Sequence, residues 1–138
     1  MENCKKINFE IKHGPLGSLV AIENIQNIPF EIERIYYIFD VEKGVRRGFH
    51  AHRNLEQVLI CLSGSVKILA KTPNAETVYE LSRPNEGLFI GKMIWREMYD
   101  FSPGSVLLVL ASKYYTEDDY IRSYDVYERE YVLRKESL

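Results

Sequence analysis

The sequence predicts an all-β fold, a sandwich or barrel of about ten short strands with small helical additions at the carboxyl end. Short runs rich in β-branched and aromatic residues follow one another along the chain, and ten tyrosines and six phenylalanines in 138 residues favour strands. Turn residues separate these runs at nearly regular spacing. Regular turns with mixed loop lengths are typical of sandwiches and barrels.

The individual strands follow from the apolar runs between turn residues. A histidine-containing strand is expected at residues 46–52, after the turn at residues 42–44. Ser63 and Gly64 form a hairpin signal between two of the longer runs. The other expected strands are residues 7–11, 17–23, 31–41, 55–62, 65–71, 76–81, 88–91, 93–101 and 105–112.

Two features near the end of the chain complete the expected fold. Residues 105–112 are apolar on both faces, which indicates a strand covered on both sides, by a second sheet or by a partner subunit. After Tyr115 the pattern changes to that of a helix start, with Thr116 as the cap and acidic residues in the first turn. A terminal helix is expected over residues 124–136.

Length, charge and cysteine content limit the possible classes of protein. The 138 residues predict one domain, residues 1–138. A net charge of −2 with mixed signs argues against a nucleic-acid binder, and no apolar run approaches the ~20 residues of a membrane span. The amino terminus lacks the apolar core of a signal peptide, and Cys4 and Cys61 suggest no disulfide framework. A cytoplasmic protein is therefore expected.

Two of the three histidines, His50 and His52, lie one residue apart. In an extended strand they share one face, roughly 6–7 Å apart, while Phe49 and Ala51 face the other way. Two converging imidazoles can ligate a metal or move protons, and an imidazole titrates near neutral pH. The plainer alternative is a pair of structural polar residues on a solvated strand face.

The metal alternative depends on a second group of ligands. The first half of the metal-binding motif of cupins, which are jelly-roll β-barrels, is matched by Gly48, His50, His52, Glu56 and Gly64. The second half would fall in residues 87–101 and would supply another histidine, but Arg96 stands there. A guanidinium group does not ligate metals, so no metal and no other cofactor is expected.

Arginine and tyrosine side chains near the histidines suggest a phosphate-bearing ligand. Arg34 and Tyr36 share one face of the strand at residues 31–41, and Arg47 directly precedes the histidines. Guanidinium groups bind phosphates bidentately, and tyrosine stacks on a base or hydrogen-bonds a phosphate. Taken singly, each is more simply a surface charge or a core aromatic. Together they predict a site for a nucleotide diphosphate beside the imidazoles.

These segments resemble one known family. Residues 34–40, 47–52 and 56–64 are similar to the dTDP-4-keto-6-deoxyglucose 3,4-ketoisomerases of the WxcM-like cupin group. Residues 17–23, 95–98, 110–115 and 119–125 extend the resemblance over most of the chain. The histidine segment and the Asp-Tyr-Ile-Arg segment at residues 119–122 are its specific parts.

The resemblance implies a homodimeric cupin jelly roll that shifts the ketone of a dTDP-linked 4-keto-6-deoxy sugar from C4 to C3 without a cofactor. The product would serve the synthesis of 3-amino sugars for lipopolysaccharide or S-layer glycans. The catalytic acid/base pair implied is His50 and His52. The substrate-binding residues implied are Arg34, Tyr36, Arg47 and Arg96, with Arg34 and Arg47 on the pyrophosphate.

Two positions depart from the family pattern, and both bear on the product's configuration. Arg96 stands where histidine is common, and Leu16 stands where arginine often precedes Gly-Ser-Leu. The gluco configuration at C4 is the expected product. Two other functions stay open from the sequence: a cupin that binds a nucleotide sugar without chemistry, and a metal-dependent cupin enzyme.

Overall fold

The computed structural model describes residues 1–137, so Leu138, the last residue of the expected domain, lies outside the described residues. Twelve strands precede the terminal helix α1 (Tyr124–Glu136), and a single 3₁₀ turn (Glu117–Asp119) lies between the last two strands. The strands are β1 (Cys4–Asn8), β2 (Lys12–Gly14), β3 (Gly17–Leu19), β4 (Arg34–Ile38), β5 (Arg47–His52), β6 (Gln57–Ser63), β7 (Val66–Thr72), β8 (Ala75–Leu81), β9 (Glu86–Ile90), β10 (Trp95–Tyr99), β11 (Val106–Ala111) and β12 (Tyr120–Ile121).

The strand order is that of a jelly roll. One five-stranded sheet has the order β1-β9-β6-β11-β4, and the other has the order β12-β5-β10-β7-β8. Strands β4 to β11 alternate between the sheets except at β7 and β8, which pair with each other in one sheet, and this gives the paired Greek keys of the fold. The expected all-β cupin jelly roll with a short carboxyl-terminal helix is confirmed.

The core lies between the sheets, where alternate residues of each strand meet. Leu59, Leu88 and Leu107 of one sheet pack with Ile68 and Leu81 of the other, and all five are nearly inaccessible to solvent. Strands with one face in the core and one in solvent show this alternation. Strands β4 and β5 belong to different sheets, and residues of both border one cleft.

Strand β11 is covered on both faces, as expected, but the two covers differ. Leu107 and Val109 face the second sheet, whereas Leu110 packs against Phe9, Ile28 and Phe30 from the amino-terminal third. The outer cover is therefore an irregular segment of the same chain, and neither a sheet nor a partner subunit is needed there.

That irregular segment explains the main differences from the expected strands. Residues 17–23 were expected as one strand, but only Gly17–Leu19 is a strand, in a short exposed hairpin with Lys12–Gly14. The chain then leaves the hairpin to lay its apolar side chains on the sheet. The first strand begins at Cys4 instead of Ile7, because Cys4–Asn8 pairs with β9.

The carboxyl-terminal helix begins and ends as expected, and Ser123 caps it by accepting a hydrogen bond from the backbone N–H of Val126. The helix start expected at Thr116 is only the 3₁₀ turn, where Thr116 is the cap residue but makes no side-chain capping bond. Tyr127 is fully buried, and its hydroxyl lies 2.9 Å from the carbonyl oxygen of Met93. This contact holds the helix, and the segment before it, against β5. No helix among residues 1–137 is both long and apolar enough to span a membrane.

Candidate active site

A β-bulge shapes the strand that carries the two histidines. In the pairing of β5 with β10, Arg96 lies opposite His50 but Glu97 lies opposite Gly48, so Phe49 is an extra residue. Gly48 and Phe49 both have positive φ, 94° and 59°. A Cβ at Gly48 would lie 2.8 Å from the carbonyl oxygen of Arg96, so this position requires glycine.

The bulge changes the expected alternation of side chains. Phe49 was expected on the far face with Ala51, but it borders the same cleft as His50, while Ala51 is fully buried. The imidazole rings of His50 and His52 lie edge to face with centroids 4.8 Å apart. The structure therefore brings the two rings together, as the sequence predicts.

Each imidazole has its Nδ1 atom tied to an acceptor. Nδ1 of His50 lies 3.1 Å from the carbonyl oxygen of Gly48, and Nδ1 of His52 lies 3.1 Å from Oδ2 of Asp119. A carbonyl or carboxylate oxygen only accepts, so both rings carry their proton on Nδ1 when neutral. Each Nε2 atom then carries an unprotonated lone pair. The Nε2 atom of His52 is buried without a hydrogen-bond partner in residues 1–137.

Asp119 is itself fixed by the backbone of the loop after β5. Its Oδ1 accepts from the N–H of Asn54 at 2.8 Å, and its Oδ2 accepts from the N–H of Leu55 at 3.2 Å. With His52 Nδ1, three N–H groups therefore point at this nearly buried carboxylate. The arrangement orients the His52 ring, as carboxylates do beside catalytic or metal-bound histidines.

Both imidazoles are neutral at neutral pH. Burial, and after it the positive charge of Arg96, lowers the pKa of His50 to about 3. The same two causes, joined by His50 itself, lower the pKa of His52 still further below the ordinary value. A neutral imidazole with a free Nε2 lone pair is a proton acceptor.

Arg96 lies beneath the histidines and does not line the cleft. Its guanidinium is almost fully buried, with Nε and Nη2 donating to the carbonyl oxygen of Ile94 and Nη1 donating to Oε1 of Gln57 at 2.6 Å. Burial lowers the pKa of Arg96 to about 10, which still leaves it charged at neutral pH. No carboxylate of residues 1–137 pairs with it. The expected direct contact of Arg96 with a substrate has no support from this position.

The cleft beside the histidines is open and rich in arginine. It has a volume of about 570 Å³ and is bordered by Arg34, Tyr36, Arg46, Arg47, His50, Tyr120 and Arg122, among others. A cavity of about 660 Å³ between the amino terminus and α1 contains none of the predicted site residues.

The four arginines of the cleft are not equivalent. Arg46 pairs with Glu97 and Arg122 pairs with Glu117, whereas Arg34 and Arg47 have no carboxylate partner in residues 1–137. The Arg34 guanidinium lies 5.2 Å from the ring centroid of Tyr36, and its buried Nε has no hydrogen-bond partner there. Arg34 and Arg47 are therefore the two cations left to bind an anion.

The comparison with known proteins places the chain in a family. The family model described as "FdtA: WxcM-like, C-terminal" matches residues 2–132. The chain belongs to this FdtA family.

Proteins of similar sequence cover nearly the whole chain. A TDP-4-oxo-6-deoxy-alpha-D-glucose-3,4-oxoisomerase of Aneurinibacillus thermoaerophilus is 51% identical over 94% of this chain and 92% of that protein. The sugar 3,4-ketoisomerase QdtA of Thermoanaerobacterium thermosaccharolyticum, in complex with TDP, is 51% identical with a TM-score of 0.94, covering 97% of this chain and 98% of that one. QdtA has also been crystallised with TDP as a double variant with arginine for a tyrosine and histidine for an arginine.

A third similar protein is named for a configuration of its sugar. The WlaRB TDP-quinovose 3,4-ketoisomerase of Campylobacter jejuni is 50% identical with a TM-score of 0.91, covering 94% of this chain and 99% of that one. As a member of the FdtA family with relatives of this identity, the chain is an isomerase.

Several residues of this FdtA-family site were missed by reasoning from the sequence. Tyr120 lies 4.9 Å from the ring of His50 and 4.3 Å from that of His52, between centroids. Asp119, Tyr120 and Arg122 lie nearly 70 residues after the histidines, and only the resemblance of residues 119–122 pointed to them. Among residues 1–137, no three His, Cys, Asp or Glu side chains form a group that could hold a metal.

Proposed function

We propose that this protein converts TDP-4-keto-6-deoxyglucose into the 3-keto sugar by proton transfer through an enediol. The observation that carries the proposal is a pair of neutral imidazoles, 4.8 Å apart, beside a cleft with two arginines that lack carboxylate partners. The relatives described above are named for 3,4-ketoisomerisation of TDP-linked sugars.

In this proposal, the nucleotide is held by the free cations of the cleft. Arg34 and Arg47 bind the pyrophosphate, because guanidinium groups form paired charged hydrogen bonds with phosphate oxygens. Tyr36 lies beside Arg34 and contributes to the sugar end of the pocket. Arg96 acts from below through its charge and through Gln57, without touching the sugar.

The chemistry requires one proton to leave C3 and one to arrive at C4. A lone pair on Nε2 of His50 or His52 takes the C3 proton, whose acidity comes from the neighbouring C4 carbonyl. The C3–H electrons form the C3–C4 double bond, and the C4 oxygen gains a proton. The enediol then collapses: the C3 hydroxyl loses its proton, C3 becomes the carbonyl, and C4 receives a proton. The substrate and the product have the same composition and the same overall oxidation state, so the proposed step uses no cofactor.

We propose the gluco configuration for the product at C4. Arg96 and Leu16 depart from the family pattern, in which histidine and arginine are common, and these are the residue types introduced in the QdtA double variant. The 50% identity to a TDP-quinovose enzyme, whose sugar has the gluco configuration, supports this choice. We expect the Leu16→Arg/Arg96→His double variant to form galacto product, read from the C4 proton couplings in NMR. Unchanged gluco product would contradict this assignment.

We further propose that the protein works as a cytoplasmic homodimer and supplies a 3-keto sugar for amination on the way to surface glycans. Ile35 and Tyr37 of the edge strand β4, and Phe39 just after it, are each more than half exposed. Exposed apolar edges of this kind favour pairing with another copy. Leu16 stands fully exposed at the tip of the β2–β3 hairpin and does not border the cleft. In the dimer, Leu16 would influence the reaction by reaching the cleft of the second copy.

Incubation with TDP-4-keto-6-deoxyglucose in deuterated water, followed by NMR, tests the proposal. We expect a 3-keto product with deuterium at C4 and solvent exchange of the C3 proton in the substrate. Tight binding of the nucleotide sugar without exchange would instead indicate a binding protein, and would refute the proposed catalysis. Sedimentation of the purified protein tests the dimer separately.

A further inference from the structure

We infer that Gln57 is a positioning residue that fixes the Tyr36 hydroxyl as a hydrogen-bond donor directed into the cleft. The inference rests on the proposed function, because it concerns the same cleft. It follows from a chain of three side chains, Arg96, Gln57 and Tyr36, that begins beneath the histidines and ends at the wall of the cleft.

Arg96 determines which group donates and which accepts in these hydrogen bonds. A guanidinium group has donors and no acceptor, so the atom of Gln57 that lies 2.6 Å from Arg96 Nη1 must be the amide oxygen. The amide nitrogen therefore faces Tyr36, at 3.1 Å from its hydroxyl oxygen, and donates to it. Gln57 is 3% exposed on the central strand β6, so its amide has no freedom to reverse.

The Tyr36 proton is left available for a ligand. Burial raises the pKa of Tyr36, so the hydroxyl is protonated at neutral pH. Its oxygen accepts from Gln57, and within residues 1–137 it donates to no acceptor. Tyr36 borders the cleft, so its O–H donates to an oxygen of the bound sugar.

A donor at this place has a specific use in the reaction. Removal of the C3 proton develops negative charge on the oxygen at C4, and a pre-oriented donor stabilises such charge. The buried charge of Arg96 polarises the Gln57 amide, which in turn makes the Tyr36 O–H a stronger donor. Without Gln57, the hydroxyl could rotate between donating and accepting, and the stabilisation would be partly lost.

The alternative is that Gln57 merely satisfies a buried arginine. A double-mutant cycle on kcat separates the two roles. We expect Tyr36→Phe to lower kcat about 100-fold, the order of a lost oxyanion donor. Gln57→Leu should lower kcat about 10-fold alone and have no further effect in the Tyr36→Phe background. Losses that multiply in the double variant would overturn the inference.

The Gln57→Glu variant reverses the direction of the hydrogen bond between residue 57 and Tyr36 while keeping the shape of the side chain. A carboxylate accepts from Arg96 and also from the Tyr36 hydroxyl, which turns the proton away from the cleft. We expect kcat to fall as far as in Tyr36→Phe, while the Kd for TDP stays within twofold, because Arg34 and Arg47 are untouched. A Gln57→Glu enzyme with wild-type kcat would contradict the role.

A readout that needs no turnover keeps the test independent of the proposed activity. The hydrogen bond from Gln57 lowers the pKa of Tyr36 relative to the value set by burial. In tyrosine-labelled protein, Gln57→Leu should therefore raise the Tyr36 pKa measured by NMR, with the resonance assigned from Tyr36→Phe. Gln26→Leu, at the exposed second glutamine, is the matched control and should change neither kcat nor the Tyr36 pKa. An inactive wild-type enzyme would refute the proposed function alone, whereas an unmoved Tyr36 pKa would refute the role of Gln57.

Discussion

The contact between Asp119 and His52 gives the sharpest test by substitution. Asp119→Asn keeps the size of the side chain but replaces one acceptor oxygen by an amide N–H₂ donor. In the structure both carboxylate oxygens already face N–H groups, Oδ1 that of Asn54 and Oδ2 those of His52 and Leu55. Neither orientation of the new amide satisfies all three donors.

The losses of stability and of kcat follow from which N–H groups lose their acceptor. If the amide nitrogen takes the Oδ1 position, the partly buried backbone N–H of Asn54 loses its acceptor, at a cost of up to about 1–3 kcal/mol. If it takes the Oδ2 position, Leu55 loses its acceptor and His52 must move its proton to Nε2. For a domain of this size the cost lowers Tm by about 4–12 °C. The tautomer change removes the Nε2 lone pair, a loss of about 10⁴-fold in kcat where a comparable pair has been tested.

Thermal unfolding and the NMR exchange assay measure the two effects on the same variant. We expect Asp119→Asn to be folded at 25 °C and to melt earlier. In the orientation that places the amide nitrogen at the Oδ2 position, it should turn over the keto sugar at least 100-fold more slowly. Asp118→Asn is the matched control, since its exposed side chain makes none of these bonds. A variant that melts earlier, keeps kcat within threefold of wild type and carries the His52 proton on Nε2 by ¹⁵N NMR would refute the role of the His52 Nε2 lone pair in the reaction.

Four further predictions concern the histidines, the arginines and pH. His50→Asn and His52→Asn should each abolish product in the exchange assay while remaining folded by circular dichroism, whereas His13→Asn, in the exposed hairpin, should keep full activity; turnover by both site variants would exclude them as proton carriers. Arg34→Gln and Arg47→Gln should each weaken TDP binding in calorimetry about 10- to 100-fold, as expected for the loss of a charged hydrogen bond, and unchanged affinity would place the pyrophosphate elsewhere. Because the pKa of His50 is lowered to about 3 in the folded protein, kcat/KM should stay level from pH 8 to pH 5, and an acid limb near pH 6.5 would contradict the burial of the ring. The unfolded chain binds more protons than the folded one below about pH 6.5, so the free energy of unfolding should fall as pH falls from 6.5 towards 3, measured by urea unfolding at pH 7 and pH 5.

Much of the fold could be read from local patterns. Residues 124–136 were expected as a helix and form α1 without a change of bounds. Alternating and apolar runs located most strands of the jelly roll to within a few residues. The segment after Leu19 failed because its apolar side chains look like a strand, although they are used singly to cover Leu110 and its neighbours. Apolar residues buried in this way by an irregular segment have no regular spacing in the sequence.

The candidate site was predictable where it lies on one strand and unpredictable where strands meet. His50 and His52 share a strand, so the alternation of a strand was enough to place the two rings together. The bulge at Phe49 depends on the pairing of β5 with β10. The Asp119 carboxylate that contacts His52 lies far from it in the sequence. Arg96 was expected at the substrate because of its place in the motif, but its side chain turns inward to Gln57 and the carbonyl oxygen of Ile94.

The most direct test of the account is the protonation state of the two imidazoles, read from ¹⁵N-labelled histidine by NMR in the ligand-free protein. We expect both His50 and His52 to be neutral at pH 7, with the proton on Nδ1 and an unprotonated Nε2, and to remain neutral at pH 5. A ring that is charged at pH 7, or that carries its proton on Nε2, would contradict the account, because it could not accept the sugar's proton.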